Sequence, residues 1–111
     1  MKIKTNELTG AALDWAVAKC EGGEWESADS FLAYHEPGDM NYSTDWSQGG
    51  PIIEREKINV EFETNDTSEE PWAAWRRCTR FRFGPTPLIA AMRCYVASKL
   101  GDEVEIPEEL T

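Results

Sequence analysis

GPTPLIAAMRCYVASKLG, residues 84 to 101, carries both ends of a helix in its own letters. Thr86 supplies an N-cap hydroxyl, Pro87 is suited to the first helical position, and Gly101 stands just past Leu100 as a stop. Leu88, Ile89, Met92, Tyr95, Val96 and Leu100 form a broad apolar stripe, so this helix is expected to bury against a sheet. Arg93 falls away from that stripe and is read as either solvated or turned toward a neighbouring acidic loop. After the helix, GDEVEIPEEL adds an expected edge strand from Val104 to Ile106, ended by Pro107.

The sheet is sought just upstream. In INVEFE, residues 58 to 63, Ile58, Val60 and Phe62 alternate with Asn59, Glu61 and Glu63, the pattern of a strand with one wet face. TNDTSEEP reads as a polar connection, and WRRCTRFRF, residues 75 to 83, alternates again. Trp75, Arg77, Thr79, Phe81 and Phe83 fall on one side, and Arg76, Cys78, Arg80 and Arg82 on the other. The two runs are expected to pair as an antiparallel hairpin with their apolar sides on one core. Arg76, Arg80 and Arg82 would then share the solvent face with Glu61 and Glu63. Four arginines within residues 76 to 82 of so acidic a chain also admit an anion site.

Toward the start, Lys2 to Lys4 is a short strand centred on Ile3. A first helix is expected from about Thr9 to Glu21, with Leu13, Ala16, Val17 and Cys20 at helical spacing and Gly22 beyond its end. Trp15 reads as packing. SFLAYH, residues 30 to 35, has the aromatic content of a strand and EPGD behind it signals a turn, with His35 and Glu36 as a surface pair. Together these elements predict one α+β domain over residues 1–111, a small mainly antiparallel sheet with two helices packed on one face.

Composition narrows the function. The chain has 111 residues, 41% of them hydrophobic, enough for one core. Twenty-one acidic residues against eleven basic ones give a net charge of −10, which disfavours nucleic acid and anionic membranes as partners. The same charge suits docking on a basic surface, including imitation of a nucleic acid. Cys20, Cys78 and Cys94 are odd in number and form no CxxC pair, which fits a reducing compartment, and His35 is the single imidazole available to a metal site. No metal or cofactor is expected. MKIKTNELTG lacks the apolar core of a secretion signal, and no run approaches a membrane span.

STDWSQGGPIIEREKI, residues 43 to 58, is the segment richest in chemistry. Ser43, Thr44 and Asp45 readily fix local backbone amides, and Gly49-Gly50-Pro51 can force a sharp reversal before Ile52 enters the core. The same residues also allow a binding reading. Trp46 offers a stacking surface, Gly49 and Gly50 permit close backbone approach, Asp45 and Gln48 select by hydrogen bonds, and Arg55 meets an anionic group, with Arg93 as a further candidate. Catalysis is not expected. No Ser or Cys is arranged with a histidine, and pairs such as Asp45 with Glu54 or Glu56 arise by chance in a chain this acidic.

Three blocks, LTGAALDWAVAK, STDWSQGGPIIEREKI and GPTPLIAAMRCYVASKLGDEVEIPEEL, resemble in order and wording the NinX family of small proteins encoded by lambdoid phages and enterobacterial prophages. They cover about half of the chain; residues 21–42 and 64–83 carry none of the resemblance. It implies an accessory phage product made in the cytoplasm of the bacterial host, and it transfers no enzymatic activity and no catalytic residue. It also favours the 43–55 segment over the arginine cluster as a shared site. The expected function is non-catalytic binding of a small polar or nucleotide-like ligand by Ser43, Thr44, Asp45, Trp46, Gln48, Gly49, Gly50, Arg55 and Arg93. The alternative is an acidic interaction module that docks on a host or phage protein, and five tryptophans leave room for a homodimer.

Overall fold

The computed structural model describes residues 1–21, 40–63, 69–77 and 80–110. The expected strand at residues 30–35, the EPGD turn, His35, most of the 64–71 connection, Cys78 and Thr79 lie outside them. In chain order the described elements are β1 (Lys2–Lys4), α1 (Gly10–Cys20), α2 (Trp46–Glu56), β2 (Asn59–Phe62), β3 (Trp72–Trp75), β4 (Arg82–Gly84), α3 (Pro87–Leu100) and β5 (Glu103–Glu105). The class is α+β, with three helices among the described residues and two small antiparallel sheets, β1–β5 and β2–β3–β4.

The helix α3 organises everything else. Thr86 caps it as expected, its Oγ1 accepting from the Ile89 amide at 3.1 Å, and Gly101 ends it at φ +90°, a conformation that favours glycine. Every residue from Leu88 to Val96 is buried, so α3 is enclosed on all sides instead of showing one apolar stripe. It packs against α1, α2 and all three strands of the larger sheet. Leu13, Ala16 and Val17 of α1, Ile52 of α2 and Ala74 of β3 join it in one core. Thr5 is also buried and ties the chain around the end of α3, its Oγ1 donating to the Gly101 carbonyl at 2.6 Å.

Two expectations are overturned here. The first concerns the Gly-Gly-Pro stretch, which does not reverse the chain but lies inside α2, with Pro51 in the helix body. Gly49 serves close packing: a Cβ there would come within 2.6 Å of Leu88 Cδ1 and would also overlap the Tyr42 carbonyl oxygen. A glycine at that point lets α2 lie against α3, and Ile52, one turn later, enters the core.

The second concerns the sheet. WRRCTRFRF is not one strand; β3 ends at Trp75 and β4 begins at Arg82. The ladder places Trp75 and Phe83 on one side and Arg82 on the other, as grouped, but the side facing the core is reversed. Register places Val60, Ala74 and Arg82 on one face, and Glu61, Ala73 and Phe83 on the other. Ala74 belongs to the core and Val60 packs against it, so the arginine side faces α3. Small residues explain why. A Cβ on Gly84 would stand 2.6 Å from the Ala90 amide nitrogen, so helix and sheet meet where Ala74 and Gly84 leave room. Phe83 and Phe81 are left exposed, with Phe81 tilted against Trp75 at 4.8 Å between centroids.

Glu61 therefore pairs with Ala73 across the ladder and does not share a face with the arginines. Arg76 Nε instead donates to the Glu56 carbonyl and its Nη1 to Ser98 Oγ, while Arg82 reaches Asn6 and Asp102. Arg93 is not solvated. Only 5% exposed, it donates to the Leu8 carbonyl at 2.8 Å, to the Phe83 carbonyl at 2.7 Å and to the Glu70 carboxylate, the acidic alternative of its two expected destinations.

Candidate functional site

Residues 41–50, the approach to α2 and its first turn, have most of their polar side chains bonded within the chain. Asp45 is the N-cap: its Oδ1 accepts from the Ser47 amide at 2.9 Å and from Ser47 Oγ at 2.7 Å. Those hydrogen bonds favour the charged form and hold the Asp45 carboxyl below its ordinary range. Gln48 presents Oε1 to the Asn41 amide at 2.7 Å and donates from Nε2 to Asp45 Oδ2. Ser43 is 1% exposed, and both its amide and its hydroxyl donate to Asp14 Oδ1, at 2.9 and 2.7 Å.

Asp14, carried by α1, is the partner that sequence reasoning missed. A carboxylate inside the apolar pattern of LDWAVA was the available signal. Burial pushes its carboxyl above the ordinary value of 3.8, against the opposing effect of the two hydrogen bonds from Ser43. The result is a short polar bolt between α1 and the entrance to α2.

The indole of Trp46 behaves oppositely. It is 55% exposed at the first turn of α2, beside a depression of about 200 Å³ lined by Ser43, Thr44, Trp46, Thr86, Leu88 and Ile89. Leu88 and Ile89 supply the apolar wall, and the first turns of α2 and α3 meet there. Sequence reasoning identified Ser43, Thr44 and Trp46 but not the α3 residues, which are distant in the chain. Gly50 is half-buried close to the indole, a Cβ there standing 3.9 Å from Trp46 Cε3. Gly49 lies beneath, against Leu88.

Arg55 belongs elsewhere. Nine residues along α2 from Trp46, it is displaced by about 13 Å of helical rise. Its Nη1 and Nη2 grip both oxygens of Glu21 at 3.0 and 2.6 Å, and its Nε donates to Glu56 at 2.8 Å. The Tyr95 hydroxyl joins the cluster by donating to Glu21. The Arg55 guanidinium holds Glu21 below its ordinary range, whereas burial pushes the Tyr95 phenol up. This network fastens α1, α2 and α3 together at the end of α2 remote from the indole. Arg93, bonded to Leu8, Glu70 and Phe83, is likewise not part of the depression's wall.

Among the described residues, no group of three or more His, Cys, Asp or Glu side chains is placed to hold a metal ion. No helix among them is long and apolar enough to cross a membrane. Cys20 and Cys94 are thiols, and burial pushes Cys20 up to about 12, which keeps it protonated and a poor nucleophile.

Comparison with known proteins agrees with the three sequence blocks. No curated protein matches the chain. The sequence pattern of the family described as Bacteriophage P22, NinX, matches residues 4–99, a span that takes in α1, α2, the larger sheet and nearly all of α3. The chain belongs to that phage family, NinX.

Proposed function

We propose that the protein acts without catalysing a reaction, as an accessory phage module that docks on a basic surface of a host or phage protein, with Trp46 as the anchor. The observation that carries this reading is the exposed indole beside a small apolar depression at the meeting of two helix N-termini. Aromatic side chains held on a rigid element and rimmed by polar groups are the usual centres of binding energy in protein interfaces.

The size of the depression argues for a partner's side chain over a free metabolite. Cavities for small molecules run to about 300 Å³ and above and present a few unengaged polar groups. Here Ser43, Asp45 and Gln48 are bonded inside the chain, Arg55 is clamped by Glu21 and Glu56, and the volume is about 200 Å³. A net charge of −10 would steer a cationic partner toward the surface and hold off anionic ones.

The test is retention of a partner from an extract of phage-infected cells on immobilised protein, followed by affinity measurement with the purified partner. Trp46→Ala is expected to weaken the complex by about thirtyfold, the effect of losing a central aromatic anchor. Rising salt should slow association. Equal affinity of the wild type and Trp46→Ala removes the indole from the interface, and salt-independent association removes the electrostatic part.

A further inference from the structure

A second concavity, of about 380 Å³, lies between the arginine face of the sheet and the last turns of α3. Arg80, Arg82, Cys94, Ala97, Ser98 and Asp102 line it. We propose that this cavity binds a small phosphate-bearing anion through the guanidinium groups of Arg80 and Arg82. The site is separate from the Trp46 depression, shares no residue with it and does not depend on the docking reading.

Charge placement is the first support. In a chain of net charge −10, two guanidinium groups wall one cavity whose volume falls within the range of ligand sites. The planar, permanently charged guanidinium fork matches the oxygens of phosphate better than an ammonium does. Placing Arg80 and Arg82 on the same concave surface lets two forks address one group.

Engagement is the second. Arg82 is held in place: its side chain is 12% exposed, its Nη1 donates to Asn6 Oδ1 at 2.9 Å and its Nη2 to Asp102 Oδ1 at 2.6 Å. The wall beside it is also fixed, since Ser98 Oγ donates to the Tyr95 carbonyl at 2.6 Å and accepts from Arg76 Nη1 at 2.9 Å. By contrast no hydrogen bond or ion pair engages Arg80 among the described residues, and its charge acts on Asp102 only through space. One cation is thus preorganised and the other is available to close over a guest.

Two features oppose an anion and set the terms of binding. The cavity lies beside the C-terminal end of α3, whose partial negative charge arginines would complement even with nothing bound. Asp102 also occupies part of Arg82. Its side chain is 74% exposed, however, and can swing into water when a phosphate oxygen takes its place. Binding therefore competes with an internal carboxylate, and removing that competitor should tighten the site.

Titration of the full chain with inorganic phosphate and with a nucleoside monophosphate at low ionic strength, followed by calorimetry with chloride as control, tests the assignment. Saturable binding is expected. Arg80→Ala should weaken it about tenfold, as for loss of one charge-assisted contact, and Asp102→Asn should strengthen it several-fold. Tighter binding of the monophosphate identifies a phosphate ester as the ligand, and tighter binding of inorganic phosphate identifies the free ion. Absence of saturation, or affinities unchanged in both variants, overturns the proposal and leaves the arginines as complements to the helix end. Thermal unfolding of the same variants separates lost binding from lost folding, because Arg80 has no hydrogen bond or ion pair to lose among the described residues.

Discussion

The approach to α2 and the described part of the link between β3 and β4 are both polar segments beside α3, and they leave different groups outward. In residues 41–49 the Ser43 and Ser47 hydroxyls, the Gln48 amide and the Asp45 carboxylate are bonded to the chain itself, and the large group that remains outward is an apolar ring, Trp46. Among the described residues of 76–82, Arg76 and Arg82 are bonded to the chain, and what remains outward includes a cation, Arg80, beside the exposed ring of Phe81. Chemical richness in a sequence thus says little about availability. Groups that look like ligands for something else become structure when a cap or a buried partner lies within reach, and the surface inherits whatever was not needed.

That contrast can be broken most forcefully at Arg93, an arginine that is engaged in the way Arg80 is not. Replacing Arg93 with Ala leaves the buried carbonyl of Leu8 and the partly buried carbonyl of Phe83 without the guanidinium donor. Urea unfolding should show a loss of about 3 kcal/mol or more. A loss as small as that of a surface residue would mean that burial of the guanidinium contributes nothing.

Next in size is the bolt between Asp14 and Ser43. Asp14→Ala strands the Ser43 amide and hydroxyl and should cost about 2 kcal/mol. Its titration sharpens the point. A raised pKa means the folded state holds the proton more firmly than the unfolded chain, so this carboxyl favours folding at acid pH and loses that contribution as pH rises through the native value. Stability of the wild type relative to Asp14→Asn should therefore fall between pH 3.8 and neutrality. A pH-independent difference would contradict a carboxylate held away from water behind Ser43.

Smallest of all are the outward groups. Trp46→Ala and Arg80→Ala should each shift unfolding stability by no more than about 0.5 kcal/mol, while removing the binding assigned to them. A large shift in either would place that residue among the internally engaged set and dissolve the contrast.

Much of the architecture was legible because it is written locally. Thr86, Pro87 and Gly101 mark α3 by capping preferences that act within a few residues, and the apolar spacing of α1 is equally self-contained. The β1 and β5 strands were found where Ile3 and Val104 suggested them. α2 was not, because Gly-Gly-Pro carries a strong breaking signal that tertiary packing of Gly49 on Leu88 and burial of Ile52 override. The Asp45 cap with Ser47 two residues on was the local hint that a helix starts there.

The inverted sheet has a different cause. Alternation groups residues onto two faces but does not say which face meets the helix. Bulk at the contact decided that matter: Ala74 and Gly84 admit α3 closely, while Trp72 and Phe62 on the same face pack on each other at 5.1 Å between centroids. The candidate site was half legible for a related reason. Ser43, Thr44 and Trp46 stand together in the chain, whereas Thr86, Leu88 and Ile89 reach them only through the packing of α2 on α3.

The guanidinium of Arg93 joins oxygens from Leu8, Glu70 and Phe83, the first of them 85 positions away in the chain. A docking of α3 that separated it from these three segments would take that cation away from the oxygens that meet it here. The side chain therefore acts as a lock on assembly: rival packings of an otherwise greasy helix are excluded by a desolvated charge, and only the arrangement that gathers all three segments lets the core shut.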